Sequence, residues 1–209
     1  MNTTLSKGKA PISTGVATAA RRVPRWGLLV GFVLWTGAIS VPLGLFSAAH
    51  RAVLPVAKES LQVSSSGEEQ WTIVHVLAED CACSRSVIDY LADRGPSKAF
   101  AEEVTLVGGG SEAAERLRRQ GYLVATVEGE QLCADFGSEG VPFFQVVKGG
   151  SEPSYSGAYF DGAFRGDAGF QDLRTASRLA AGGFVLSRPV YGCPTSERLK
   201  SVLDPFGWK

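Results

Sequence analysis

The feature that most constrains this chain is a long stretch without charge. From Trp26 to Ala49 the sequence reads "WGLLVGFVLWTGAISVPLGLFSAA", with no acidic or basic residue in it. A helix of roughly 20 apolar residues spans a bilayer core, so this run is expected to cross a membrane. Lys7, Lys9, Arg21, Arg22 and Arg25 precede it, and no acid does. That bias keeps the N-terminus in the cytoplasm and exports the rest. Pro42 is expected to kink or end the helix early, leaving Trp26 to Val41 as its straight part. A cleaved signal peptide is the rival reading, with "FSAAHRA" offering small residues to a protease. The apolar cores of signal peptides are shorter, about 7–15 residues, which favours an uncleaved anchor. In either case the bulk of the chain lies outside the cytoplasmic membrane, where disulfides persist. The expected location is a single pass in the cell inner membrane, with the main domain periplasmic.

The remainder divides by composition. Residues 1–25 form a basic tail, 26–49 the anchor, and 50–70 a polar linker ending in "SSSGEEQ". A patterned domain is expected over 71–186, with a C-terminal extension over 187–209. The 21 basic and 21 acidic residues cancel, so there is no basic excess to bind nucleic acid. A single methionine excludes a Met-rich metal site.

Within the domain, "WTIVHVL" (71–77) is a buried strand by its β-rich composition. Val87, Ile88 and Leu91 recur at helical spacing, and Gly95-Pro96 stops that helix. Strands follow over 104–110 and 122–127, separated by the helix "SEAAERLRRQ", whose early acids and late bases suit its dipole. "QLCADFG" (131–137) reads as a short helix or turn. Strands over 142–148 and 154–160 flank a Gly149-Gly150 turn, and a helix over 169–181 closes the domain. In the tail, Thr195 or Ser196 is expected to cap the helix "ERLKSVL". Alternation of strand and helix gives parallel strands, and the later hairpin adds an antiparallel pair. The expectation is a small mixed α/β sheet with helices on both faces.

The chain has four cysteines, and two of them stand in "HVLAEDCACSRS". Cys81 follows a strand and opens a helix. There the unpaired N–H groups and the positive end of the helix dipole favour a thiolate, the nucleophile of disulfide exchange.

At this point the residues resemble a family. "TIVHVLAEDCACSRSVIDYL" is similar to the first strand, active-site turn and first long helix of thioredoxin-like proteins. "FGSEGVPFFQVVKGG" (136–150) is similar to their second landmark. With the anchor, the chain resembles the membrane-tethered TlpA-type thiol–disulfide oxidoreductases. The resemblance implies a cis Val141–Pro142 bond facing the cysteines, with Val141 and Pro142 lining the substrate groove. It implies Cys81 as nucleophile and Cys83 as the resolving thiol. Its partners would be substrate protein thiols or disulfides and an electron partner. The motif departs from the family, since Ser84 stands where the second cysteine is usual and Cys83 comes one residue early. A Cys81–Cys83 disulfide would close a small strained ring, arguing for an oxidising or isomerising couple. His75 occupies the place of a buried acid and is a candidate for proton transfer; its other reading is a strand histidine satisfied by a hydrogen bond.

Cys133 and Cys193 admit three readings: a structural disulfide fastening the tail, a relay with the Cys81 pair, or unpaired thiols. No cofactor is expected. The alternative functions are Cu(I) handling by Cys81, Cys83 and His75, which soft thiolates would favour, a four-cysteine iron–sulfur site, and a non-catalytic anchored subunit of a membrane complex.

Overall fold

The computed structural model describes residues 25–49, 53–54, 70–108, 111–149, 152–160 and 169–203. The basic tail before Arg25, most of the expected linker, the Arg165-Gly166-Asp167 tripeptide and the last six residues lie outside the described residues. The chain divides into two compact units, Met1–Pro42 and Leu43–Lys209.

Helix α1 runs Arg25–Ala49. Its segment Trp26–Leu45 is long and apolar enough to cross a membrane, a test that a signal sequence also meets. The helix passes through Pro42 instead of ending there. Proline removes one internal hydrogen bond, and the apolar residues on either side still favour helix.

The second unit is built on a five-stranded sheet in the order β3-β2-β1-β5-β6. Strands β1 (Trp71–Ala78), β2 (Ala101–Val107) and β3 (Leu123–Val127) are parallel, while β5 (Phe143–Lys148) and β6 (Tyr155–Gly157) continue the sheet antiparallel. Helices α2 (Ala82–Arg94) and α3 (Ser111–Gln120) make the crossovers between the parallel strands. Helix α4 (Gly129–Phe136) leads to the two-residue strand β4 (Gly140–Val141), and α5 (Asp172–Ala180) follows β6. This is a small mixed α/β sheet flanked by helices, as expected.

Strand alternation splits the core into two layers. Ile73 and Leu77 of β1, with Phe144 and Val146 of β5, pack with Val87, Leu91, Leu117, Ala176 and Leu179 from α2, α3 and α5. Val74 and Val76, with Phe143 and Val147, pack on the other side with Leu132 of α4, Leu54, Val190 and Cys81. Leu199 and Leu203 of α6 (Glu197–Leu203) join this second layer.

Several boundaries differ from the sequence reading, each for a local reason. β2 starts at Ala101 because its acids are drawn inward: Glu102 has no exposed side-chain surface and is held by Arg94 and His75. α2 starts at Ala82, since the cysteine turn is itself the first helical turn, and it ends at Gly95 with φ +68°, a conformation glycine adopts without strain. β6 stops at Gly157, and Tyr159 and Phe160 turn their rings into the first core layer. The expected fourth strand is β5, starting one residue after Pro142, and the short β4 precedes that proline. The C-terminal extension is not a loose appendage. Its strand β7 (Cys193–Pro194) pairs antiparallel with β4, and Leu54 N–H donates to the Val190 carbonyl at 2.9 Å.

Candidate active site

Cys81 is the N-cap residue of α2, with extended backbone angles and no side-chain cap bond. Its carbonyl accepts the first helical hydrogen bond from Arg85 N–H at 2.9 Å. The strand-to-helix turn therefore puts its sulfur at the positive end of the helix, where a thiolate is stabilised. The Val141–Pro142 peptide is cis, and the Val141 carbonyl lies 4.0 Å from the Cys81 sulfur. The sequence elements around Cys81 and Pro142, distant along the chain, thus meet in space.

The partner of Cys81 is Cys193. The two form a disulfide, with Cα atoms 5.9 Å apart and a sequence separation of 112. This corrects two expectations. Cys83 does not pair with Cys81, and Cys193 does not pair with Cys133; both Cys83 and Cys133 are free thiols. The physical reason is register. β7 places Cys193 opposite Val141, within the 4.4–6.8 Å Cα range a disulfide needs. Cys81 and Cys83, two apart at the start of a helix, point in different directions around its axis. The argument from a strained Cys81–Cys83 ring to an oxidising couple falls with that pairing.

The tail is fitted closely. A side chain at Gly192 would overlap the Val141 carbonyl, and one at Gly129 would overlap the Thr195 carbonyl. Thr195 N–H donates to the Glu139 carbonyl at 2.9 Å. The buried Glu139 carboxylate accepts from Ser196 Oγ at 2.8 Å, from Arg198 Nε at 3.1 Å and Nη2, and from the Cys133 thiol at 3.4 Å. Burial pushes this carboxyl up, but the hydrogen bonds from Arg198, Ser196 and Cys133 outweigh it and hold it below the usual range. Ser196 also caps α6, accepting from Leu199 N–H at 3.2 Å. Glu139 therefore ties the tail to the segment that carries Val141.

His75 does not join this site. It shares its strand face with Ile73 and Leu77, whereas Cys81 packs with Val74 and Val76 on the opposite layer. Its Nε2 lies 3.4 Å from the Glu102 carboxylate and its Nδ1 2.7 Å from Tyr159 Oη. Of the charges beside the cysteine turn, Glu79 accepts from Ala113 N–H at 3.4 Å, and Arg85 and Asp80 are exposed.

Neither free thiol is a ready nucleophile. Burial pushes the Cys83 thiol above its ordinary value. Burial, and then the Glu139 carboxylate as bond partner and charge, push Cys133 up. Both are expected to alkylate more slowly than a free cysteine at neutral pH, and to go on gaining rate beyond pH of about 8.5. Iodoacetamide labelling against pH, followed by peptide mapping, checks this; a plateau below that pH would contradict it.

Sequence reasoning named Cys193 as one possible relay to the Cys81 pair and Ser196 as a helix cap, but missed Glu139 and Arg198 as the groups that hold the tail. A usable signal was present in "GCPT": a glycine permitting close backbone approach, next to a cysteine and a proline that favours extended chain.

No protein-family model and no curated protein sequence matches the chain. Solved structures that match the chain in part include an uncharacterized conserved protein from Geobacillus kaustophilus, at 12% identity over 70% of this chain and 92% of that one, with a TM-score of 0.49. A hypothetical protein from Sinorhizobium meliloti is 14% identical over 69% and 97%, with a TM-score of 0.47. A thiol:disulfide interchange protein from Bacteroides sp. is 14% identical over 64% and 93%, with a TM-score of 0.37.

Proposed function

We propose that this chain is an exported, membrane-anchored thiol–disulfide oxidoreductase in which Cys81 is the exchange cysteine. The observation that carries the reading is the Cys81–Cys193 disulfide at the N-terminus of α2, beside the Val141 carbonyl. The helix start stabilises Cys81 as a thiolate, which makes it both a competent nucleophile and a good leaving group. In the reduced form Cys81 attacks a substrate disulfide, and Cys193 resolves the mixed disulfide by closing the bond described above. β7 pairs with Val141, so an extended substrate segment reaches Val141 and Pro142 when β7 is displaced on reduction. Cys83, on the same turn, is a second thiol whose burial disfavours its thiolate. The helix Trp26–Leu45 is the anchor, with the basic residues before it keeping the N-terminus in the cytoplasm. The site then works in the periplasm, where a disulfide persists.

The test is catalysis of insulin reduction by the full chain in detergent micelles, with dithiothreitol as electron donor. Insulin should precipitate well ahead of the sample with dithiothreitol alone. Equal lag times would remove the enzymatic reading.

A further inference from the structure

The two cysteines of the disulfide are not equally exposed. Cys81 is 1% exposed and packs among Val76, Ala78, Val107 and Phe143. Cys193 is partly exposed and lines an open pocket of about 210 Å³. Exchange requires the attacking thiolate to reach one sulfur and expel the other, so access decides which is attacked. The pocket has a definite chemistry. Asp80, Glu128, Glu130 and Glu197 line it, against Lys200 as its cation. Lys200 is already paired with Glu197 at 2.9 Å, and Glu130 accepts from Glu197 N–H at 2.7 Å. Thr195 also lines it, 7% exposed, with a hydroxyl that has no hydrogen-bond partner among the described residues.

We infer that the oxidised protein is opened from the Cys193 side, by a dithiol polypeptide carrying basic residues beside its attacking cysteine. This rests on the exchange reading above and names the partner for one half of the cycle. The donor thiolate bonds to the Cys193 sulfur, the Cys81–Cys193 bond breaks, and the electron pair leaves on Cys81. That thiolate sits at the start of α2, where the helix end stabilises it. The donor's second thiol then attacks its own sulfur in the mixed disulfide, closing the donor disulfide and releasing Cys193. Two electrons and two protons pass from the donor to Cys81 and Cys193. The acid-lined wall attracts a cationic segment and repels an anionic one. The unpartnered Thr195 hydroxyl is available to bond the incoming chain.

The probes are cysteamine, a cationic thiol, and mercaptoacetate, an anionic one, offered to the oxidised full chain in micelles. Reactions are quenched with acid and N-ethylmaleimide and mapped by peptide mass. The adduct should sit on Cys193, with maleimide on Cys81. Compared per thiolate, cysteamine should react roughly tenfold faster at low ionic strength, and the ratio should shrink at high salt. Asp80→Asn combined with Glu128→Gln should shrink it as well. An adduct on Cys81 overturns the direction of attack but leaves exchange intact. Mercaptoacetate reacting as fast as cysteamine overturns the basic partner. A disulfide that neither thiol opens in the folded protein overturns the exchange reading itself.

Discussion

Cys81→Ser should reduce the rate of insulin reduction to that of the dithiol alone. Among the four cysteines only Cys81 combines a helix N-terminus with the neighbouring Val141 carbonyl. Cys83 and Cys133 are held as thiols by burial, and Cys133 further by Glu139. A hydroxyl at position 81 has no thiolate to offer, and neither free thiol substitutes for it. The change also removes a cross-link with a sequence separation of 112, worth about 4–5 kcal/mol in the chain-entropy account. Loss of activity alone would therefore not separate chemistry from unfolding. Cys193→Ser separates them, because it loses the same cross-link and keeps the nucleophile. That variant should hold substrate as a long-lived mixed disulfide on Cys81, visible on a non-reducing gel. Cys81→Ser should hold none, with circular dichroism showing both variants folded at 20 °C. A Cys81→Ser protein that retains most of its rate would sink the assignment.

Arg94→Met should lower the stability of the second unit by about 3–5 kcal/mol, or roughly 6–20 °C in Tm. Arg94 forks onto Glu102 at 3.0 and 2.9 Å and reaches Asp172 at 2.9 Å. Both acids have no exposed side-chain surface. Glu102 also receives Ser97 N–H at 3.1 Å, and Asp172 receives the Tyr90 hydroxyl at 3.1 Å. Methionine fills the space and leaves two buried carboxylates without their cation, which is the costly way to break such a set. Burial pushes the Glu102 carboxyl up, but the bonds and charges of His75 and Arg94 win and hold it below the usual range. A depressed carboxyl contributes stability above its unfolded pKa of about 4.3, lost as pH falls through the lower folded value. Glu102→Gln should accordingly flatten the acid limb of the stability curve. An Arg94→Met loss under about 1 kcal/mol would show that water or rearrangement compensates the pair.

Much of the fold was legible because its signals are local. The strand "WTIVHVL", the helix stop at Gly95-Pro96 and the helix "ERLKSVL" depend on neighbours within a few residues, and each is where composition puts it. Cys81 and Pro142 could be read as a pair because the two stretches that carry them resemble the two landmarks of thioredoxin-like proteins. The rest was hidden for a physical reason. Glu102 looks like a surface acid until Arg94, a turn away in space, is known to cover it. Pairing Cys81 with Cys193 depends on β7 lying against β4, a contact that neither two-residue strand encodes by propensity. Proximity in sequence favoured Cys83, and helix geometry overrules it.

The most direct test is a redox titration of the full chain in micelles. Samples equilibrated in graded dithiothreitol buffers are acid-quenched, alkylated and mapped by peptide mass. Cys81 and Cys193 should be protected together in the oxidised form and become labelled together in one two-electron transition. Cys83 and Cys133 should be labelled throughout. A Cys81–Cys83 or Cys133–Cys193 linkage in the oxidised form, or a Cys81–Cys193 bond that opens only when the protein unfolds, would contradict the account.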